Sequence, residues 1–388
     1  MGIIRLLVSF LVYGFMMYYM TKSLIQYDND FNWKDTNTSI WKNKLLLCPI
    51  IVFAFFAALR WNVGEDCQSY IKMYYGVMAD ESSEAGWILV EKILMTFGLS
   101  YHFFFFVVAF AQIAIPMYAM RDKSCMLIFF PLALFLSLDY WTWMAAMRQT
   151  LACSIAFLSI YYMDEKKYGW CVLAVLIAMS FHRSAYAMFF ILPLLWLSRG
   201  CIFNIYIQLA IYFICFAMQG SFISDFINNL LSDVSASAGY EENQIQKYLE
   251  NTYDINFGLF SYTRLISLGI LIWVSNDVKQ LVDSKLYNCN YNLFFIGACL
   301  LMLFYTNQGM LRIIQYFTYS TVLVLSATMY YYYKIYKKEG RYLFAYRLLM
   351  LFIVVGVAYY LVMPSFASES MEAILYKFCF GHPIPTFE

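Results

Sequence analysis

The sequence predicts an all-α, polytopic integral membrane bundle, and three observations carry that expectation. Apolar side chains make up 62% of the 388 residues and charged ones only 13%, against roughly 25% charged in a soluble domain. The apolar residues fall in repeated runs of about 15–22 residues, the length of a membrane-crossing helix rather than of a short alternating barrel strand. In lipid, a helix satisfies its backbone polar groups within itself, so such runs form a helical bundle. The mean hydropathy of +0.61 agrees. A net charge of +1 gives no case for nucleic acid. The ten cysteines are scattered, mostly inside apolar runs, with no Cys-x-x-Cys or Cys/His spacing, so core packing is expected and a metal site is not. Cys67 and Cys379 could share the outer compartment, which alone is thin ground for a disulfide.

The first run, Ile3–Met20, has a single basic residue, Arg5, at its start and no small-residue cleavage site, and reads as a retained helix. A polar connector follows, then a second helix over about Leu45–Leu59. Residues 60–100 form a polar excursion that opens with Arg60, Gly64, Glu65, Asp66 and Tyr70 and passes Asp80, Glu81 and Glu84. It ends in Gly86–Gly98, an amphipathic segment too short and too charged to span, which is expected at the membrane interface. Further spans are expected near 101–120, 124–138, 145–163, 168–181, 184–198, 202–219, 259–275, 290–306, 312–332 and 342–363. The expected total is about twelve, within a range of ten to fourteen. His182-Arg183-Ser184 forms a break within 168–198, which reads either as two short spanning helices or as one broken helix pair. Residues 220–258 read as a larger polar loop and 365–388 as a polar tail on the surface, within a single transmembrane domain covering 1–388. No internal repeat is visible.

Lysine and arginine in the short connectors set the orientation. Taking 21–44, 121–123, 164–168, 199–201, 276–289 and 333–347 as cytoplasmic collects sixteen of the 26 basic residues, twelve of them lysines. Six of the ten on the other side are arginines: Arg5, Arg60, Arg148, Arg183, Arg264 and Arg312. All but Arg5 stand at or near the outer end of a span. A guanidinium is always charged, planar and suited to bidentate phosphate contact, so these five are candidate ligands for a pyrophosphate on a lipid carrier. The bland reading of any one of them is a side chain snorkelling to headgroups or paired with a nearby acid.

Acids and bases expected on the same side are Glu65, Asp66, Asp139, Asp254 and His182. A carboxylate or an imidazole is what removes a proton from a sugar hydroxyl. The Arg183 cation beside His182 would keep the imidazole neutral, which suits a base. Asp66 suits the same role, or the orienting of Arg60 or Arg148. Most of the 35 tyrosines belong to interfacial belts, though Tyr70 is placed to stack on a sugar ring.

Four stretches, in order over about residues 45–320, carry a resemblance to the EpsG-like branch of Wzy-type polysaccharide polymerases. They are Arg60 with Gly64, Asp66 and Tyr70; Arg148-Gln149 with Ala152; His182-Arg183-Ser184; and Arg312 with Tyr316. Glu65 departs from the pattern, where a small or hydroxyl residue is more usual, and leaves open which acid matters. The resemblance implies a metal-independent glycosyltransferase, GT-C-like in arrangement, in the bacterial inner membrane with its site facing the periplasm. It would need no cofactor. It would join repeat units carried on undecaprenyl pyrophosphate, alongside a flippase and a chain-length regulator. Implied catalytic residues are His182 and Asp66. Substrate contacts would come from Arg60, Arg148, Gln149, Arg183, Arg264, Arg312, Tyr70 and Glu65. Two other readings stay open: an exporter or flippase of lipid-linked oligosaccharide, and a ligase or membrane acyltransferase acting on the same glycan.

Overall fold

The computed structural model describes residues 2–30, 41, 43–77, 84–197, 204–218, 259–282, 284–305, 308–335, 341–362 and 374–380. The loop 220–258 with Asp254, the acids Asp80 and Glu81, and most of the tail beyond Pro364 lie outside these residues. Among the described residues the secondary structure is helical, apart from one isolated antiparallel bridge between Arg60 and Phe378.

The helices are α1 (Gly2–Asp30), α2 (Lys44–Ala58), α3 (Cys67–Tyr74), α4 (Ala85–Thr96), α5 (Tyr101–Ala119), α6 (Ser124–Leu127), α7 (Phe130–Leu136), α8 (Asp139–Ala145), α9 (Met147–Asp164) and α10 (Tyr168–Phe181). A 3-10 turn over Arg183–Ala187 leads into α11 (Met188–Leu197). Next come α12 (Ile205–Ala217), α13 (Leu259–Leu281), α14 (Lys285–Leu303), α15 (Gln308–Ile335) and α16 (Arg341–Val362). Five helices among the described residues are long and apolar enough to cross a membrane, or six if the bent pair α8–α9 counts as one span. Five further apolar helices are shorter, at 10–17 residues. The molecule is a membrane protein. The expected span 124–138 is instead the two short helices α6 and α7, and α1 runs to Asp30 rather than stopping at Met20.

Packing divides the chain into two compact units. The first comprises Met1–Tyr186, Leu325–Tyr331 and Val357–Glu388, and the second Ala187–Val324 and Tyr332–Gly356. In the first, α9 packs on α5 and α10, and α2 packs on α1 and α5. Helix α2 starts cleanly because the Asn43 side chain accepts from the Leu45 N–H at 2.9 Å, supplying one of the acceptors that a helix start lacks. In the second unit, α12 packs on α13 and α14. The buried Tyr291 hydroxyl there donates to Gln208 Oε1 at 2.7 Å, and Ser320 Oγ donates to Asn290 Oδ1 at 2.9 Å. Pairing these polar groups avoids the cost of burying them alone.

The segment expected as a helix at 86–98 is α4. Trp87, Glu91 and Leu94 face inward, while Leu89, Ile93 and Phe97 are exposed. Both faces carry apolar side chains, with Glu91 turned inward and Lys92 outward. Gly86 lets α4 lie directly on α10, because a Cβ there would collide with Ser180.

The tail departs from its expected surface position. Residues Ile374–Phe380 are stitched into the first unit, with Leu375 and Tyr376 buried. The Tyr376 hydroxyl donates to the Phe56 carbonyl at 2.7 Å and its amide to Ser9 Oγ at 2.8 Å. Tyr13 Oη and Trp141 Nε1 both donate to the Ile374 carbonyl, at 2.7 and 3.1 Å. Trp61 N–H donates to the Lys377 carbonyl at 2.7 Å and Cys379 N–H to the Leu59 carbonyl at 2.9 Å. The tail therefore clamps the segment that carries Arg60. Cys67 and Cys379 are both free thiols.

Candidate functional site

The site grows from the turn between α2 and α3. Asn62 and Gly64 both have positive φ, +52° and +89°, which coils the chain tightly enough to bring Asp66 to the start of α3. Gly64 is required twice over. Its φ disfavours any side chain, and a Cβ there would sit 2.5 Å from the Met144 carbonyl oxygen. The turn is thus pressed against the end of α8.

At Ala146 the chain bends by 118° between α8 and α9. This elbow puts Arg148 and Gln149 into the first turn of α9, where backbone N–H groups lack helical partners and the dipole favours anions. Gln112 of α5 braces the elbow, its Nε2 donating to Thr150 Oγ1 at 2.7 Å and to the Met147 carbonyl at 3.2 Å. Gln149 is itself buried.

The two arginines nearest this elbow have opposite fates. Arg60 is 0% exposed. Its Nη1 meets Met144 Sδ at 2.7 Å, and its Nη2 meets Met147 Sδ at 2.8 Å and the Met144 carbonyl at 3.2 Å. The guanidinium carbon lies 4.6 Å from the centre of the Phe105 ring, and Nε has no hydrogen-bond partner. Soft sulfur, a ring face and a carbonyl at the negative end of α8 together hold the cation. The expectation of Arg60 as a phosphate ligand does not fit this burial: the side chain ties the turn to the elbow.

Arg148 is only part-buried. Its Nη1 lies 3.5 Å from Glu84 Oε2, with side-chain exposures of 21% and 9%. The other carboxylate oxygen, Oε1, accepts from the Arg183 backbone N–H at 3.1 Å. One carboxylate therefore joins the 60–100 excursion, the start of α9 and the break after α10. The Arg148 guanidinium also stands 5.9 Å from the centre of the Tyr70 ring. Tyr70 is fixed by Trp87 at 5.4 Å, and Trp87 in turn by Phe104 at 5.0 Å. Burial pushes the Tyr70 phenol from 10.0 up to about 12, with Asp66 adding to the rise and Arg148 opposing it.

His182 ends α10 in extended conformation and is half-buried. Its Nδ1 lies 2.6 Å from Ser184 Oγ and accepts from the Ser184 backbone N–H at 3.3 Å. With Nδ1 taken as an acceptor, the neutral ring carries its proton on Nε2. His182 is thereby arranged as a hydrogen-bond donor, and service as a base would require the other tautomer. Glu65 and Asp66 are exposed, as is the Arg183 side chain.

The structure thus joins Arg148 and the Arg183 backbone through Glu84, with the Tyr70 ring near Arg148 and His182 next to Arg183 in the chain. Arg264 is half-buried and Arg312 exposed. Both belong to the second unit. The residue that sequence reasoning missed as a site member is Glu84. A carboxylate just before a helix reads as a cap, yet Glu84 makes no cap hydrogen bond with its side chain. Among the described residues, no three His, Cys, Asp or Glu side chains gather closely enough to hold a metal ion.

A bundle of helices, five or six of them among the described residues long and apolar enough to cross a bilayer, defines a membrane protein. The chain belongs to the EpsG family, whose model matches residues 43–378. It is thereby a membrane protein of polysaccharide biosynthesis. No curated protein and no solved structure matches it.

Proposed function

We propose that the chain is a membrane glycosyltransferase that polymerises undecaprenyl-pyrophosphate-linked repeat units at the periplasmic face of the bacterial inner membrane. The observation that carries this reading is the meeting of the Arg148 side chain, the Arg183 N–H and His182 at one junction, in a chain of the EpsG family.

The reaction needs a site that stabilises a leaving pyrophosphate and one group that takes a proton. An acceptor hydroxyl oxygen forms the new bond to the anomeric carbon, and the bond from that carbon to the pyrophosphate oxygen breaks. Undecaprenyl pyrophosphate leaves with the electron pair. Arg148 and Arg183 answer the charge that grows on it, and His182 donates to it through Nε2–H. Asp66, an exposed carboxylate beside Tyr70, takes the hydroxyl proton. Glu65, which is exposed, contacts the acceptor sugar, whereas the expected stacking of Tyr70 on a sugar does not fit its burial and the ring instead backs Arg148. Gln149 supports the helix start. Arg60 positions the elbow, and Arg264 and Arg312 remain separate candidates in the second unit. A flippase and a chain-length regulator would work beside it.

The test is incubation of the purified full chain with one defined lipid-linked repeat unit, followed by separation of products by length. A ladder of multimers, formed with or without chelator, is expected. Full recovery of the unreacted unit would overturn the reading.

A further inference from the structure

Glu84 forgoes the role its position offers. It stands at the N-cap of α4, where a carboxylate normally accepts from the first-turn N–H groups, yet its side chain makes no such bond. Instead its two oxygens take two donors from distant parts of the chain, Arg148 Nη1 at 3.5 Å and Arg183 N–H at 3.1 Å. These are the donors that the polymerase reading assigns to a phosphoryl group. A carboxylate and a phosphoryl group offer the same pattern there, two anionic oxygens on one centre. At 3.5 Å the contact to Arg148 is longer than a charge-assisted hydrogen bond at its best, and the pair is not fully dry, so exchanging it for another anion costs little.

We infer that Glu84 is an internal surrogate for the substrate phosphate. It holds Arg148 and the Arg183 N–H in place while the site is empty, and it yields both to the pyrophosphate on binding. This rests on the reading of Arg148 as an anion ligand. A group that only fixed these residues would lose anion affinity when neutralised, because its ligands would drift. A surrogate behaves in the opposite way, since removing its charge removes a competitor and a repulsion.

The experiment measures inorganic pyrophosphate binding to the purified full chain at fixed ionic strength, for wild type, Glu84→Gln, Glu84→Asp and Arg148→Ala. Glu84→Gln should bind about threefold to tenfold more tightly. Glu84→Asp, which keeps the charge, should stay near wild type. Tighter binding cannot arise from a damaged fold, so this direction separates a surrogate from a structural role. Arg148→Ala should lose binding. If Arg148→Ala binds as wild type does, the anion-site reading falls and this inference with it. If Arg148→Ala loses binding while Glu84→Gln binds equally or more weakly, the surrogate role alone is overturned.

Discussion

Arg60 and Arg148 are the same residue type, each near the end of an apolar helix, and from sequence each looks equally fit to hold a phosphate. One is sealed among two methionines, a phenyl ring and a carbonyl; the other stands half open beside a carboxylate, at the start of a helix. The difference comes from what the chain does next. After Arg60 it coils through two left-handed residues and is pinned by the tail, which folds the guanidinium inward. Arg148 stands in the first turn of α9 after a sharp bend, and its side chain stays part-exposed beside Glu84. An arginine at a helix end is therefore a structural clasp or a ligand according to the turn that follows it.

The substitution expected to disturb this pairing most is Gly64→Ala. The new methyl would meet the Met144 carbonyl at a positive φ, and with backbone on both sides neither wall can yield. A loss of about 3 kcal/mol or more is expected, measured as a lowered unfolding midpoint in detergent. Next comes Arg60→Ala, which empties a sealed pocket and should cost about 2–4 kcal/mol. Arg60→Met separates the two meanings of this residue. An apolar chain of similar length fills the pocket without a buried cation, so stability should stay within about 1.5 kcal/mol of wild type. Pyrophosphate binding should persist; if it disappears from a folded Arg60→Met protein, Arg60 is a ligand after all.

The smallest effect is expected at Tyr70. Its pKa is raised, so the stability it contributes is complete below the ordinary value of 10.0 and is lost as pH climbs through about 12. The phenol therefore stays protonated throughout the working range. Tyr70→Phe should leave the shape of the activity profile unchanged between about pH 6 and pH 9. A shifted limb in that profile would mean that the phenol takes part in proton transfer.

Much of the bundle was legible because hydrophobic runs and helix length follow from the same physics of the bilayer. Helices α2, α4, α5 and α10 lie within a few residues of their expected bounds. The 118° elbow was not legible, since Ala146 is neither glycine nor proline and the side chain that braces it, Gln112, comes from another helix. Nor was the inward path of the tail: its polarity suggested solvent, but its backbone is satisfied by Leu59 and Trp61. Tyr70, Arg148, His182 and Arg183 were each visible as chemistry-bearing residues. What joins Arg148 to the Arg183 backbone is Glu84, which lies 64 residues from the one and 99 from the other, a separation no local pattern reports. The burial of Arg60 was hidden because methionine sulfurs do not announce themselves as partners for a cation.

The contrast between the two arginines can be read in a single assay: extension of one defined lipid-linked repeat unit by purified Arg148→Ala and Arg60→Met proteins, each shown to be folded. Arg60→Met should still produce a ladder of multimers, whereas Arg148→Ala should leave the single unit unextended, at least about a hundredfold below wild type. A ladder from Arg148→Ala, or its loss from folded Arg60→Met alone, would contradict the assignment of ligand to the one and clasp to the other.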